Sequence, residues 1–167
     1  MPHRVGIALG SNVGDRLENL RAARDLVADI AVPGAPVLQA AIYETAPVGC
    51  PEGSPDFYNT VIEVSYDGTA EDLLDQTQAF QRQLGRPEVA ERNAPRVIDI
   101  DLLYFGDERV VTDRLELPHP RLTVRRFVLQ PLADIRPELV LTGDTRTVLE
   151  HLDALEDQEI QKAAEVL

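Results

Sequence analysis

Apolar and polar positions follow two different periods along this chain, and the two periods predict its secondary structure. Four short, strongly apolar runs have the length and composition of strands: residues 4–9, 37–45, 57–66 and 97–105. Apolar residues three or four positions apart predict one helix after Asp15 and another after Thr69, each opened by a capping signature. The order β-α-β-β-α-β is that of a ferredoxin-like α+β sandwich, which we therefore predict.

The C-terminal part of the chain predicts shorter additions to this core. They are a strand or hairpin within residues 108–117, a short helix within 125–135, and a last helix near 146–155. Residues 32–36 and 46–56 are rich in proline and glycine, which is typical of turns. We find no repeat, low-complexity segment or linker, so residues 1–167 are predicted to form a single domain.

The composition, with 44% hydrophobic and 27% charged residues, is typical of a soluble globular protein. The apolar runs are too short to span a membrane, and the N-terminus does not resemble a signal peptide, so we expect a cytoplasmic protein. A single cysteine, Cys50, excludes an internal disulfide. The net charge of −13 argues against nucleic acid or an anionic membrane as a partner.

Basic residues are few but locally concentrated. Lys162 is the only lysine, and many arginines fall in two short segments. These arginines are Arg82, Arg86, Arg92 and Arg96, followed by Arg121, Arg125 and Arg126. Because the planar guanidinium group binds phosphate through two hydrogen bonds, the clusters favour a focused anion site on an otherwise acidic protein. Solvated arginines paired with neighbouring glutamates are the alternative.

Two aspartates interrupt the last predicted strand of the core, in the stretch RNAPRVIDIDLLYFG at residues 92–106. Since strand side chains alternate between faces, Asp99 and Asp101 share one face and the neighbouring aliphatic residues occupy the other. The pair is compatible with a site for a divalent cation such as Mg²⁺, with an acid/base pair, or with ion pairs to arginines. Arg92 and Arg96 precede the strand and favour the first interpretation, because arginine and metal around one anionic group suit phosphoryl transfer.

Two further stretches carry candidate binding residues. His119 lies between two prolines near the second arginine cluster, where it is either a phosphate ligand or a structural residue. Phe57 and Asn59 share a strand face, which suits stacking on a flat heterocycle and hydrogen bonding to its edge, although a core phenylalanine and a turn asparagine are equally compatible. The stretch GSNVGDR at residues 10–16 lacks the pattern of a phosphate-binding loop and predicts a tight turn.

Together these motifs resemble the 6-hydroxymethyl-7,8-dihydropterin pyrophosphokinase family of the folate pathway. The similar stretches, in consistent order, are GSNVGDR (10–16), YETAPVG (43–49), PDFYN (55–59), RNAPRVIDIDLLYFG (92–106) and LPHPRLTVRRFVLQPLADIRPEL (117–139). The combination R-x-x-P-R-x-x-D-x-D within the fourth stretch is much more specific than any of its parts.

The resemblance implies a ferredoxin-like enzyme that transfers pyrophosphate from ATP to the hydroxymethyl group of the dihydropterin and releases AMP. It implies that Asp99 and Asp101 hold two Mg²⁺ ions that bridge the ATP phosphates, with Asp99 also facing the pterin hydroxyl. It further implies that Arg86, Arg92 and Arg96 lie in or beside a catalytic loop and stabilise the transferred group.

The same resemblance implies two sets of substrate-binding residues. The residues implied for ATP are Gln78, His119 and Arg125. The residues implied for the pterin are Phe57 and Phe127, which would enclose it, and Asn59, Thr45, Pro47 and Val48, which would read its edge.

Some positions depart from better-known members of the family. Where those members carry further basic residues and a tryptophan in the catalytic loop, this chain has Glu88, Val89 and Asn93. A stacking tyrosine is replaced by Phe57. Because both aspartates and the main arginines are present, we expect an active enzyme, working as a monomer or weak homodimer. The alternatives are a non-catalytic ferredoxin-like metabolite-binding module and a metal-dependent phosphotransferase acting on another heterocycle.

Overall fold

The computed structural model of the protein describes residues 2–46, 56–85, 97–155, 160–165 and 167. The core elements are β1 His3–Ser11, α1 Arg16–Ile30, β2 Leu38–Gln39, β3 Ile42–Thr45, β4 Phe57–Tyr66, α2 Ala70–Gln83 and β5 Asp99–Phe105. The C-terminal elements are β6 Val110–Val111, β7 Glu116–Leu117, a 3₁₀ turn Leu122–Val124, α3 Arg126–Ile135, α4 Val148–Ala154 and β8 Gln161–Ala164. None of the helices within these ranges is long and apolar enough to cross a membrane.

The main sheet has the strand order β5-β1-β4-β3-β8, with every neighbouring pair antiparallel. The short β2 also pairs with β4. One helix, α1, follows β1, and the second, α2, connects β4 to β5. This is the ferredoxin-like α+β arrangement that the order of elements predicts, so that prediction is confirmed. The hairpin β6–β7 and the helices α3 and α4 are the predicted C-terminal additions.

One face of the sheet packs against α1 and α2 and forms the larger core. Its residues in and beside the strands include the apolar set predicted by period two: Val5, Ile7, Leu9, Ile62, Val64, Ile98, Ile100 and Leu102. Phe105 joins this core out of phase with that alternation, because the pairing of β5 with β1 shifts by one residue. The helices contribute residues spaced three or four apart, such as Leu20, Ala23 and Val27 of α1. Asp99 and Asp101 are absent from this core and lie on the opposite face, as the alternation predicts.

The capping signatures fix where both core helices begin. The Asp15 side chain accepts a hydrogen bond from the backbone N–H of Glu18 at 3.1 Å, which starts α1. Thr69 and Asp72 form a reciprocal capping box at the start of α2.

The second face of the sheet is covered by α3 and α4 over only part of its length. Here β5 contains a bulge, since Leu102 pairs with Ile7 and Tyr104 with Gly6, while Leu103 has no partner in β1. The bulge turns both Leu103 and Tyr104 towards the second core, where they pack with residues of α3 and α4. The remaining, uncovered part of this face begins beside Asp101.

Two expectations about strands were wrong. Residues 37–45 were predicted as one strand, but they form β2 and β3 separated by Ala40 and Ala41. At this break the Thr60 hydroxyl donates to both alanine carbonyls, at 3.2 and 3.0 Å, in place of regular pairing. The tail was assigned no strand, yet β8 pairs with β3 and forms the edge of the sheet. Its short segment, QKAA, has neither the alternation nor the β-branched residues that predict a strand.

Candidate active site

The second face of the sheet carries a row of four residues from four adjacent strands. Gly10 of β1 is opposite Asp99 of β5 on one side and Asn59 of β4 on the other. Asn59 is in turn opposite Tyr43 of β3. Because opposed residues point to the same face, Asp99 and Asn59 are directed to the same side across a glycine. Strands lie about 4.8 Å apart, so the two Cα atoms are separated by roughly 10 Å. We call Asp99, Gly10 and Asn59 the Gly10 row.

Gly10 is required by the close approach of its neighbours. A Cβ atom at this position would lie 2.9 Å from Asn59 Oδ1 and 3.7 Å from Cδ1 of Phe57. The Asn59 amide donates to the Thr45 hydroxyl at 2.8 Å, and this bond fixes the orientation of the amide. Phe57 lies opposite Thr45 in the adjoining row and is half-buried. An aromatic ring, an oriented amide and a hydroxyl therefore lie around the backbone of Gly10, which is itself buried.

On the other side of the aspartates lies a cleft of about 720 Å³ between β5, α2 and the segment after β7. Asp101 lines it together with Gln78 and His119, so three residues predicted from sequence share one cavity. Asp101 is exposed and Asp99 half-buried, and both already have polar or electrostatic partners. The two carboxylates thus lie at the boundary between the Gly10 row and this cleft.

His119 is held in place through its backbone and its ring. Its N–H donates to the carbonyl of the bulge residue Leu103 at 2.8 Å, and its Nδ1 accepts from the N–H of Arg121 at 3.1 Å. Burial, followed by the charge of Arg125, lowers the pKa of His119, so the ring is neutral at pH 7. With Nδ1 accepting, the proton is on Nε2, which makes His119 a hydrogen-bond donor.

Arg125 precedes α3 and connects the cleft to the aromatic side of the face. Burial lowers the pKa of its guanidinium, while the charge of Asp101 opposes that shift, so this arginine is close enough to Asp101 to interact with it electrostatically. Its guanidinium carbon lies 5.6 Å from the ring centroid of Phe127, the second residue of α3. Phe127 packs on the second core, and so does Ala8, which is opposite Asp101.

The donor set around Asp99 and Asp101 suits a hard cation that keeps other ligands. Within the described ranges, no three His, Cys, Asp or Glu side chains converge to form a closed metal site. Two carboxylates on an open face match Mg²⁺, which is typically bound by one or two carboxylates plus water and substrate phosphates. The residues present therefore fit this ion better than a structural metal.

The structure places the predicted residues in two groups. Thr45, Phe57 and Asn59 form one group on β3 and β4. Gln78, Asp101 and His119 form the other group and line the cleft. The remaining three, Asp99, Arg125 and Phe127, lie next to one or both groups. Five predicted residues lie outside the described ranges: Pro47, Val48, Arg86, Arg92 and Arg96. The same holds for Cys50, Glu88, Val89 and Asn93.

Several cleft residues had not been predicted as part of a site. They include Gln81, Arg114 and Glu116, whereas Arg82 belongs to the first of the two arginine clusters that favour an anion site. Gln81 is buried and accepts from the N–H of Ile100, between the two aspartates, at 2.7 Å. Its position three residues after Gln78 on a helix is a signal that could have identified it. Arg114 and Glu116 belong to the β6–β7 hairpin, whose placement no local pattern gives.

Comparison with known proteins gives a consistent result. The model of the 7,8-dihydro-6-hydroxymethylpterin-pyrophosphokinase (HPPK) family matches residues 6–137. The 2-amino-4-hydroxy-6-hydroxymethyldihydropteridine pyrophosphokinase of Bacillus subtilis is 42% identical over 129 residues, covering 77% of this chain and 75% of that protein. The enzyme of the same name from Synechocystis is 31% identical over 156 residues, covering 92% and 77%.

Other relatives are much longer. The folic acid synthesis protein fol1 of Pneumocystis carinii is 33% identical over 158 residues, which is 94% of this chain but 21% of that protein. The crystal structure of wild-type Plasmodium falciparum HPPK-DHPS has a TM-score of 0.66 at 12% identity, covering 92% of this chain and 44% of that one. At such low identity, the structural likeness concerns the fold.

Proposed function

This chain belongs to the 7,8-dihydro-6-hydroxymethylpterin-pyrophosphokinase family, and from that premise we propose that it transfers pyrophosphate from ATP to 6-hydroxymethyl-7,8-dihydropterin. The hydroxymethyl oxygen would form a bond to the β-phosphorus of ATP. The bond from that phosphorus to the oxygen bridging the α-phosphate would break, AMP would leave, and the hydroxyl proton would pass to water. Residues 1–167 would act together as one domain.

One observation carries this proposal: the aspartates lie between two surfaces of different composition. On one side the Gly10 row places an amide across from Asp99. On the other side Asp101 lines the cleft with Gln78 and His119. A transfer between two substrates needs its reacting groups to meet at such a boundary, because most of the catalytic effect comes from positioning and charge neutralisation.

The pterin would occupy the side that carries Phe57, Asn59 and Phe127. The two rings would stack on its faces, since flat heterocycles and aromatic side chains pack in offset or edge contacts. Asn59, whose amide N–H is already engaged by Thr45, would present its Oδ1 to the donors on the heterocycle edge. The backbone around Pro47 and Val48 would complete the edge contacts.

ATP would occupy the cleft. A neutral His119 would donate from Nε2 to a phosphate oxygen, and Arg125 would supply a positive charge on the same side. Gln78 is exposed on α2 at the opposite wall and would contact the nucleotide. Arg86, Arg92 and Arg96 would stabilise the transferred group.

Asp99 and Asp101 would hold two Mg²⁺ ions, which when bound neutralise phosphate charge and orient the attacking and leaving oxygens. The aliphatic residues on the other face of β5 keep the strand anchored in the larger core, so the carboxylate spacing is set by the backbone.

The experiment is to incubate the purified protein with ATP, MgCl₂ and 6-hydroxymethyl-7,8-dihydropterin and to resolve the nucleotides by chromatography. We expect equal amounts of AMP and pterin diphosphate, no AMP when the pterin is omitted, and no AMP in excess EDTA. ADP in place of AMP would identify an ordinary phosphotransferase. Folded protein that forms neither nucleotide would contradict the proposed activity and favour a metabolite-binding module.

A further inference from the structure

The buried stripe of α2 ends in a glutamine. Its members are spaced three or four residues apart and are Ala70, Leu73, Thr77 and Gln81. Leu73 packs in the larger core, and the Thr77 hydroxyl bonds back to the carbonyl of Leu74 in its own helix. Gln81 is only 9% exposed, and a buried amide needs hydrogen-bond partners within the protein. The partner therefore explains why a glutamine occupies the place of a core residue.

That partner is the backbone of β5. Gln81 Oε1 accepts a hydrogen bond from the N–H of Ile100 at 2.7 Å. This N–H belongs to the peptide group that joins Asp99 to Ile100, so it lies between the two aspartates. Ile100 is 5% exposed, and removal of the glutamine would leave a buried N–H without this acceptor.

The bond lies where a neighbouring strand would otherwise pair with β5. Among the described strands, β5 is at the edge of the main sheet and pairs with β1 on its inner side. Since successive N–H groups of a strand point to opposite sides, the N–H groups of the two aspartates are directed towards β1 and that of Ile100 towards α2. The backbone that carries the carboxylates is therefore held by β1 at each aspartate and by Gln81 between them.

The same helix also forms a wall of the cleft. Gln78 precedes Gln81 by three residues, and both line the cleft together with Ile100 and Asp101. Gln78 is exposed, whereas Gln81 is buried against the strand. Gln81 thus ties the wall proposed for the nucleotide to the strand that carries the carboxylates.

We propose that Gln81 is a positioning residue, which fixes the peptide between Asp99 and Asp101 and so holds the two carboxylates in the arrangement that binds the divalent cation. This inference rests on the proposed function, which supplies the cation. Two carboxylates on one strand face repel each other, so a peptide free to turn would let them move apart. Groups that orient metal ligands from outside typically contribute roughly 10–100-fold to metal affinity or activity.

The test measures how much Mg²⁺ the protein needs to bind a non-hydrolysable ATP analogue. Calorimetric titrations with the analogue at a series of MgCl₂ concentrations give the Mg²⁺ midpoint, at which half of the gain in affinity is reached. Gln81→Met keeps the length of the side chain and removes the acceptor. We expect it to raise the Mg²⁺ midpoint about tenfold and to bind the analogue like wild type at saturating Mg²⁺. The KM for the pterin should stay within about twofold.

Amide hydrogen exchange followed by NMR gives a readout that needs no ligand. In the wild-type protein the Ile100 N–H should exchange slowly, although it is on the outer side of an edge strand. In Gln81→Met it should exchange at least about tenfold faster, while the N–H of Asp101, directed towards β1, should change less. Equal exchange of the Ile100 N–H in the two proteins would overturn the positioning role.

Two further variants at the same position sharpen the test. Gln81→Glu keeps an oxygen at the same distance from the backbone, so it should exchange as slowly as wild type and need no more Mg²⁺. Gln81→Asn is one methylene shorter and cannot reach Ile100. It should match Gln81→Met, and it carries the test if Gln81→Met does not fold.

Gln76→Met is the matched control. Gln76 is a half-buried glutamine of the same helix, and its amide donates to the Tyr66 hydroxyl at 2.6 Å. It lies outside the set of residues that line the cleft. The same chemical replacement should therefore lower the unfolding midpoint and leave both the Mg²⁺ midpoint and the Ile100 exchange rate unchanged.

The outcomes separate this inference from the proposal on which it rests. If wild-type protein forms AMP from the pterin while Gln81→Met has the Mg²⁺ midpoint of wild type, the positioning role is overturned and the proposed function stands. The same conclusion follows if Gln81→Met loses affinity for the analogue equally at every Mg²⁺ concentration, because that result indicates a direct contact with the nucleotide. If wild-type protein forms no AMP and does not bind the analogue, both are overturned.

Discussion

Two rows of residues cross the same face of the sheet, four positions apart on β1. One is part of the candidate site, and the other is a structural part of the protein. In the Gly10 row, a half-buried Asp99 and a buried Asn59 flank a glycine. In the second row, which we call the Gly6 row, Tyr104 and Glu63 flank Gly6 beneath α3. Both rows use a glycine to let a side chain lie over β1, and both carry a carboxylate.

At Gly6 the close approach is extreme, since a Cβ atom would lie 2.2 Å from the Tyr104 ring. The ring crosses β1 in this gap and its hydroxyl reaches Glu63, which is 1% exposed. Arg4 donates to Oε2 of the same carboxylate at 3.0 and 2.8 Å, and Arg136 donates to Oε1. Every lone-pair direction of the buried carboxylate is thus used within the protein, as burial of a charge requires.

The comparison shows that burial beneath a helix, rather than residue type, distinguishes a structural carboxylate from a candidate catalytic one. Under α3 the charge of Glu63 is compensated by two arginines of the protein. Beyond the end of α3 the aspartates keep part of their surface exposed, where cations and phosphates can approach. Variants at the aspartate pair should therefore affect activity, whereas variants at the Gly6 row should affect stability.

The largest expected effect is that of Asp99→Asn and Asp101→Asn, each of which removes one charge while keeping the shape of the side chain. AMP formation should fall by at least about 10²–10³-fold, the loss typical when one transition-state charge ligand is removed. The unfolding midpoint should be unchanged or higher, because two like charges on one strand face repel each other. Steady-state kinetics and thermal unfolding followed by circular dichroism measure the two effects.

Asp107→Asn serves as the control, because Asp107 is an exposed aspartate just after β5 and outside the cleft. It should have wild-type activity. Activity within twofold of wild type in either site variant would mean that the aspartate pair is structural, and the distinction between the two rows would then disappear.

The next effect concerns Glu63→Gln at the Gly6 row. Removing one partner of a buried ion pair leaves the others uncompensated, but Arg4 and Arg136 remain 32% and 33% exposed and can be hydrated. We therefore expect a loss of about 2–3 kcal/mol in the free energy of unfolding, at the low end for buried pairs. Urea unfolding at pH 7 measures this loss.

The same variant should bind ATP with wild-type affinity, which separates it from the aspartate variants. Ser65→Ala is a milder control, since it removes only a 2.9 Å bond from Arg4 to the Ser65 hydroxyl. A Glu63→Gln protein as stable as wild type would show that the carboxylate is not needed in its charged form.

Much of the fold could be predicted because its signals are local. Alternation on β4 and β5, the capping residues Asp15 and Thr69, and the apolar spacing of α1 each specify an element without reference to the rest of the chain. The break between β2 and β3 depends on Thr60, and β8 depends on the exposed edge of β3, so neither leaves a signal in its own segment. Elements defined by their partners are the ones that sequence reasoning missed.

The candidate site divides in the same way. Asp99 and Asp101 were placed on one face by period two alone, and His119 was a candidate from its position near the second arginine cluster. The resemblance to a family supplied Gln78. Gly10 was interpreted as part of a tight turn, whereas it lies within β1 between Asp99 and Asn59. Its role depends on its pairing with Asn59 and with Asp99, which are nearly fifty and ninety residues away in the sequence. No local stretch of sequence contains both partners.

The smallest expected effect, and the sharpest comparison, comes from adding one methyl group at each glycine. In Gly10→Ala the new Cβ would meet the movable Asn59 amide at 2.9 Å, so the amide should turn away from Thr45. We expect the pterin KM to rise about three- to tenfold, roughly the effect of one misplaced hydrogen bond, with little change in stability. In Gly6→Ala the new Cβ would overlap the Tyr104 ring, which cannot move without leaving Glu63, so stability should fall while the pterin KM is retained.

Kinetics and urea unfolding of both variants test whether the two effects are separate. Equal effects on the pterin KM would show that the two rows are not functionally distinct, because the same methyl group would then disturb the site from either end of the face.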